Sequence, residues 1–314
     1  MNATSACTPS EQKELSAILD SAQTAIRHKH YQEAFELLIP RLALFYDTVP
    51  PANIDALREQ ARRHPVFALC QQDPFTRRAY IKPRGYAGDA VMMDYIYFGK
   101  TVEDSEHGHR IFEFTTQGSM GLSVHFRRTL LTAYLNDVTL HHQKPRILSV
   151  ASGHCREFEG SMPARAGFAG EMIALDQDEA SCRTVEALYN GRVRTVTARI
   201  SDFFSSALPV QGTFDLIYSA GLYDYLAPDV VTQLSQALKH LLNDQGRLLI
   251  CNFSLSSAGR GYMEFMMDWR LRYRSQEEMI SLMTDDSDDK ISAFSDPHGN
   301  VTYVELTRRY PQTH

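Results

Sequence analysis

Apolar residues recur at three- and four-residue spacing between Ser10 and about Asp47: Leu15, Ile18, Leu19, Ala22 and Ile26, then Ala34, Phe35, Leu38 and Leu42. That period predicts a pair of amphipathic helices. Pro50-Pro51 ends the pair, Asn53 is placed to cap the next helix, and that helix closes near Pro65. A glycine-rich turn, Arg84-Gly85-Tyr86-Ala87-Gly88-Asp89, precedes a helix-like run at Val91, Met92, Tyr95 and Ile96. Gly121 to His142 reads as one helix through Leu122, Phe126, Leu130, Leu131, Tyr134 and Leu135.

After Arg146 the pattern becomes short apolar runs alternating with helical stretches. Strands are predicted at 147–151, 171–176, 193–198, 214–219 and 247–253, with a helix expected between the first two. Asp178 is placed to cap a helix running to Asn190-Gly191, and a further helix covers 229–242. Ser275 and Glu278 form a capping-box pattern for a helix through Met283. Two alternating strands flank Pro297-His298-Gly299-Asn300, a hairpin signal. Strand–helix alternation closed by a hairpin predicts an α/β fold with a mostly parallel sheet between helical layers. Residues 1–143 then form an N-terminal helical cap over the substrate, and 144–314 the ligand-binding domain.

Composition narrows the class. Apolar residues make up 43% and charged residues 22% of the 314-residue chain, values of an ordinary globular protein. A formal net charge of -6 argues against nucleic acid as the partner. No apolar run reaches the length of a membrane span, and the N-terminus lacks the charged-then-apolar order of a signal peptide. Five scattered cysteines with no CxxC pair fit reduced thiols, so a cytoplasmic location is expected. His107 and His109 have no third ligand at matching spacing, so they are read as a solvated loop and no metal is expected.

The candidate chemistry lies at the ends of the first two strands. The first breaks at Ser152-Gly153, and the second ends on Asp176. In an open parallel sheet ligands sit beyond the carboxyl ends of the strands, where a small-residue turn admits a ligand and a carboxylate can take both ribose hydroxyls. Asp176 as a simple helix cap is the plain alternative. There is no GxxxxGK[ST] loop after the strand and no GxGxxG fingerprint; the turn reads Ala151-Ser152-Gly153-His154-Cys155. A nucleoside without a pyrophosphate is therefore expected, and S-adenosylmethionine fits as a co-substrate. His154 is placed to touch its carboxylate or to stand in an exposed loop. Cys155, with no partner base indicated, reads as a packed small residue.

From about Lys144 onward the chain resembles the class I S-adenosylmethionine-dependent methyltransferases. The resemblance implies a Rossmann-like three-layer sandwich with a seven-stranded, mostly parallel sheet ending in an antiparallel hairpin. It places Ala151, Ser152 and Gly153 under the methionine and ribose portions, Asp176 on the ribose hydroxyls, Ser201 and Asp202 beside adenine, and Ser219 and Ala220 beside the sulfonium. The turn departs from the family, with Ala151 and Cys155 in place of customary glycines and Ser149 where an acidic residue is usual.

Four segments, KPRGYAGDAVMMDYIY, ASGHCREFE, YSAGLYDYL and GRGYMEFMMDWRLRYR, are similar to bacterial 3-hydroxy-fatty-acid methyl ester (extracellular factor) synthases of quorum signalling. Some relatives of this type cyclise S-adenosylmethionine to azetidine-2-carboxylate and methylthioadenosine. The expected activity is methyl transfer to a small or fatty-acid carboxylate. Cyclisation and a catalytically silent cofactor sensor are the alternatives. Arg84 is the candidate cation for the carboxylate. Tyr86 and Tyr223 are the leading pocket residues, with Tyr225, Phe253 and Trp269 as further aromatic candidates, since aromatic faces hold a sulfonium by cation–π attraction.

Overall fold

The computed structural model describes residues 7–99, 105–205, 207–285 and 287–309. The chain begins with helices α1 (Pro9–Arg27), α2 (Tyr31–Thr48), α3 (Ile54–Arg63), α4 (Pro65–Cys70), α5 (Pro74–Ile81), α6 (Ala90–Phe98), α7 (Glu106–Gln117) and α8 (Ser119–His141). Strands β1 (Arg146–Val150), β2 (Glu171–Asp176), β3 (Arg194–Thr197), β4 (Phe214–Ala220) and β5 (Leu242–Phe253) follow. Helices α9 (Glu179–Tyr189) and α10 (Pro228–His240) lie between β2 and β3 and between β4 and β5. Helices α11 (Arg260–Met266) and α12 (Gln276–Met283) precede the hairpin β6 (Lys290–Ser295) and β7 (Val301–Thr307).

The chain forms two compact units: residues up to Val124 with Ser257–Arg270, and His125–Ser256 with Leu271 onward. Their boundary falls inside α8 rather than ahead of β1, and α11 joins the N-terminal unit.

In the first unit, Thr8 and Glu11 close a capping box at the start of α1. The apolar stripes read from the sequence on α1 and α2 are the buried ones. Asn53 does not cap α3 with its side chain; the amide donates to Glu11 instead. His107 and His109 stand on α7, not in a loop: His107 Nδ1 is 2.6 Å from the Tyr31 hydroxyl, and His109 faces Glu113. Helix α11 is buried at every residue. Gly261 permits this, because a Cβ there would stand 2.2 Å from the Leu42 backbone. Its Glu264 meets Arg58 at 2.5 Å, a buried ion pair.

In the second unit seven strands form one sheet in the order β3-β2-β1-β4-β5-β7-β6. The first five pair in parallel, and β7 is antiparallel to both β5 and β6. Strand order reverses between β1 and β4, the position where an open α/β sheet parts to admit a ligand. One face, with Leu148, Val150, Ile173, Ile217, Leu248 and Ile250, packs on Leu234 and Leu238 of α10 and Met279 of α12. On the other face α8 contributes Phe126 against Tyr303 and Tyr134 beneath Arg247.

The helix expected between β1 and β2 is absent. Two 3-10 turns, Arg156–Phe158 and Met162–Ala164, take its place. Pro163 and three glycines (Gly160, Gly167, Gly170) punctuate that segment. Gly167 is left-handed at φ 87°, and a Cβ at Gly170 would meet Pro145 O at 2.2 Å. Strand β5 also begins earlier than expected, with an irregular register between Phe214 and Leu216 where Gln245 turns at φ 60°.

Candidate functional site

The turn after β1 holds three left-handed residues in five: Ala151 (φ 55°), Gly153 (54°) and Cys155 (52°). A side chain makes that conformation cost roughly 1–2 kcal/mol, so Ala151 and Cys155 keep a glycine-like path at an energetic expense. Packing and hydrogen bonds hold the path. Ser152 N donates to Leu175 O at 3.1 Å and Cys155 N to Ser152 O at 3.0 Å. Tyr189 of α9 donates to Cys155 O at 2.9 Å, and Thr132 of α8 to Glu157 O at 2.9 Å. Beneath the turn, Glu157 Oε1 accepts from Tyr218 at 2.5 Å and faces the buried Cys155 thiol at 3.5 Å. Burial pushes both the Cys155 thiol and the Tyr218 phenol up, away from ionisation.

Asp176 ends β2 beside this turn. Its Oδ2 accepts from Gly153 N at 2.8 Å and its Oδ1 from Asp178 N at 2.8 Å. Asp178, as expected, caps α9 through Ala180 N, and Asn190 closes the helix in the left-handed region. The Ser152 hydroxyl oxygen is buried and finds no hydrogen-bond partner among the described residues. A buried hydroxyl without a partner costs about 1–3 kcal/mol, so the position suits a polar ligand atom.

The remaining expected residues are distributed unevenly. Ser219 lies at the end of β4, but it is buried and its hydroxyl donates to Val150 O at 2.9 Å, tying β4 to β1. Ala220 follows it, half-buried, and leads to Gly221 at φ 105°. Ser201 and Asp202 sit in a 3-10 turn after β3, where Asp202 Oδ2 accepts from Arg199 N at 2.9 Å. Tyr223, expected as a pocket residue, lies in the hydrophobic core. It is fully buried in the cluster under α10, its hydroxyl is 3.2 Å from Ser235, and burial pushes its phenol up. Phe253 is buried too, whereas Tyr225 is 37% exposed. Arg84, Tyr86 and Trp269 belong to the first unit. Arg84 and Tyr86 are half-buried in a turn flanked by left-handed Gly85 and Gly88, closed by an ion pair from Arg78 to Asp89. Trp269 packs edge-on to Phe75.

A buried charged group at the ends of β4 and β5 escaped the sequence reading. Asp224 accepts from Phe253 N at 2.5 Å; burial raises its carboxyl to about 6, against the pull of Arg127 and Arg274. Arg274 donates to Tyr223 O (2.9 Å), Asn252 Oδ1 (2.8 Å) and Leu226 O (2.5 Å), and its Nε lies 3.5 Å from Glu278. Arg127, on α8, is buried with Nη1 3.5 Å from where a Gly221 Cβ would stand. The available signal was a charged residue inside an apolar stretch, as in YSAGLYDYL.

No family model matches the chain, and no curated protein matches it. Solved structures do. A protein described as a possible exported protein of Bordetella parapertussis aligns with a TM-score of 0.61 at 14% identity, over 97% of this chain and 100% of its own. The S-adenosylmethionine-dependent methyltransferase SibL, in its apo form, aligns at 0.50 and 15% identity over 96% of each chain. Magnesium protoporphyrin IX methyltransferase from Synechocystis PCC 6803, with bound S-adenosylhomocysteine, aligns at 0.50 and 15% identity over 74% of this chain and 97% of its own. The fold is the Rossmann-like methyltransferase fold. Its seven-stranded sheet and terminal hairpin agree with the expectation from sequence. Among the described residues no helix is long and apolar enough to cross a membrane, and no group of His, Cys, Asp and Glu is placed to hold a metal ion.

Proposed function

We propose that this chain is an S-adenosylmethionine-dependent enzyme that transfers a methyl group to the carboxylate of a small or 3-hydroxy fatty acid. The observation that carries the cofactor reading is the turn itself. Ala151 and Cys155 hold the left-handed backbone that glycines would supply, and Asp176 is bonded to Gly153 at the strand-order switch. Each carboxylate oxygen has two lone pairs, so Asp176 can hold the turn and meet ribose hydroxyls together. The Ser152 hydroxyl, buried without a partner among the described residues, fits a polar atom of the nucleoside or its amino-acid tail. Asp202 and Ala220 are the adenine-side and sulfonium-side candidates, and Ser219 holds the strand ends in register. The sulfonium supplies an activated methyl group when the cofactor is bound.

An acceptor carboxylate is already ionised at neutral pH and scarcely needs a base. The protein's work is then alignment of the acceptor and exclusion of water. Arg84 and Tyr86 of the first unit remain the candidates for acceptor contacts. A silent cofactor sensor draws its support from the altered glycines, and the retained left-handed geometry weakens that support.

Mass spectrometry of the protein with S-adenosylmethionine and 3-hydroxy fatty acids tests the reaction. S-Adenosylhomocysteine formed only when acid is present is the expected result. Methylthioadenosine formed from S-adenosylmethionine alone would replace methyl transfer with cyclisation, and absence of both products contradicts an enzyme acting on these substrates.

A further inference from the structure

The chain makes an excursion between the end of β5 and the start of α12. Residues 257–270 of it belong to the first compact unit, whereas Ser254 and Arg274 at its two roots belong to the second. The roots are fastened to each other. Ser254 and Arg274 form a parallel bridge, and Arg274 N donates to Phe253 O at 3.2 Å. Asn252, fully buried, donates to Arg272 O at 2.8 Å and accepts from Arg274 Nη1 at 2.8 Å. The turn after β4 grips both roots as well. Phe253 N donates to the Asp224 carboxylate at 2.5 Å, and Arg272 N donates to Asp224 O at 2.7 Å. Arg274 closes this clamp by donating to Tyr223 O and Leu226 O.

Between the roots, α11 fills the core of the first unit. Tyr262 meets Phe35 edge-on, the Phe265 ring lies 5.9 Å from that of Phe45, and Arg260 Nε donates to Asp47 at 2.7 Å. α11 has seven residues, and isolated helices shorter than about 12–15 residues are marginal in water, so its order comes from this packing. We infer that residues 255–271 are a strap whose clamp, made by Asp224, Asn252 and Arg274, couples the order of the first unit to the turn after β4. Holding the roots together spares α11 the loop-closure entropy of docking, and releasing them restores that cost. Such coupling is reciprocal, so loosening α11 also loosens the clamp. The turn after β4 begins beside Ala220, the sulfonium-side candidate. Ligand bound there tightens the strap, a step that rests on the proposed cofactor site.

Hydrogen exchange read by mass spectrometry on the full chain, without cofactor, tests the strap from both ends. Asn252→Ala is expected to speed exchange in α11 and in its partners α2 and α3 about tenfold, as for lost buried hydrogen bonds. Phe265→Leu, a milder change inside α11, keeps the test decisive if Asn252→Ala does not fold. It is expected to speed exchange at residues 223–226, far from it in sequence, by about threefold or more. Ile96→Val on α6, which packs on α5 and α7, controls for general loosening of the first unit and should leave 223–226 at the wild-type rate. Exchange at 223–226 unmoved by Phe265→Leu overturns the inference, as does an equal rise with Ile96→Val. Unchanged exchange in α11 of a folded Asn252→Ala overturns it too. Saturating S-adenosylhomocysteine should slow exchange in α11 of the wild type, and less so in Asn252→Ala; equal slowing in both contradicts control by the clamp. A wild type that binds no S-adenosylhomocysteine removes the cofactor reading, while the cofactor-free comparisons still decide the strap.

Discussion

Gly153 donates its backbone N–H to Asp176 Oδ2 at 2.8 Å, joining the turn after β1 to the end of β2. A hydrogen bond to a charged group contributes about 1.5–3 kcal/mol, so this contact fixes the turn as well as presenting a carboxylate. Asp176→Asn keeps an acceptor for Gly153 but loses the charge. It should weaken S-adenosylhomocysteine binding by roughly 10–100-fold and also lower the melting temperature, because Asp178 N, which donates to Oδ1 at 2.8 Å, then faces an amide donor. Unchanged affinity by calorimetry would remove Asp176 from the site.

Ala151 sits at φ 55°, where a glycine carries no steric penalty. Ala151→Gly should therefore stabilise the protein by about 0.5–1 kcal/mol, the relief of left-handed strain less the added entropy of the unfolded chain. Urea denaturation reads the sign. A destabilised variant would mean that the Ala151 methyl is held by packing worth more than the strain.

Tyr223 belongs to the core, with its hydroxyl 3.2 Å from Ser235. Tyr223→Phe should cost about 1 kcal/mol of stability and leave cofactor affinity and turnover near wild type. A large fall in turnover at unchanged stability would restore Tyr223 to the chemistry.

Burial raises the Asp224 carboxyl from 3.8 to about 6, so the folded state binds a proton more readily than the unfolded one. The stability linked to this group is fully present below pH 3.8 and is lost as pH rises through about 6. The stability of wild type relative to Asp224→Asn should fall by up to roughly 3 kcal/mol across that window. Denaturation of both proteins between pH 3.5 and about 7 checks it; parallel profiles would show that Asp224 does not titrate there.

The parts of this fold that sequence revealed are those set by local chemistry. Glu171–Asp176 forms the strand read from its apolar run, and Asp178 and Asn190 delimit α9 because a cap and a left-handed stop act within one turn. The segment after β1 reads as helix from the strand–helix alternation, but Pro163 and its neighbouring glycines break it into two 3-10 turns. The charged group around Asp224 was illegible for a different reason. Arg127 comes from a helix ahead of β1 and Arg274 from chain beyond β5, so only the tertiary fold brings both charges near enough to act on the Asp224 carboxyl. Tyr223 illustrates the same limit: adjacency to a turn said nothing about which face of the sheet its ring would enter.

The most direct test of the central claim is calorimetric titration of S-adenosylhomocysteine into wild type and Asp176→Ala. The account predicts one-to-one binding to wild type and a large loss in Asp176→Ala. No binding to either protein, or equal binding to both, would contradict the placement of the cofactor at this turn.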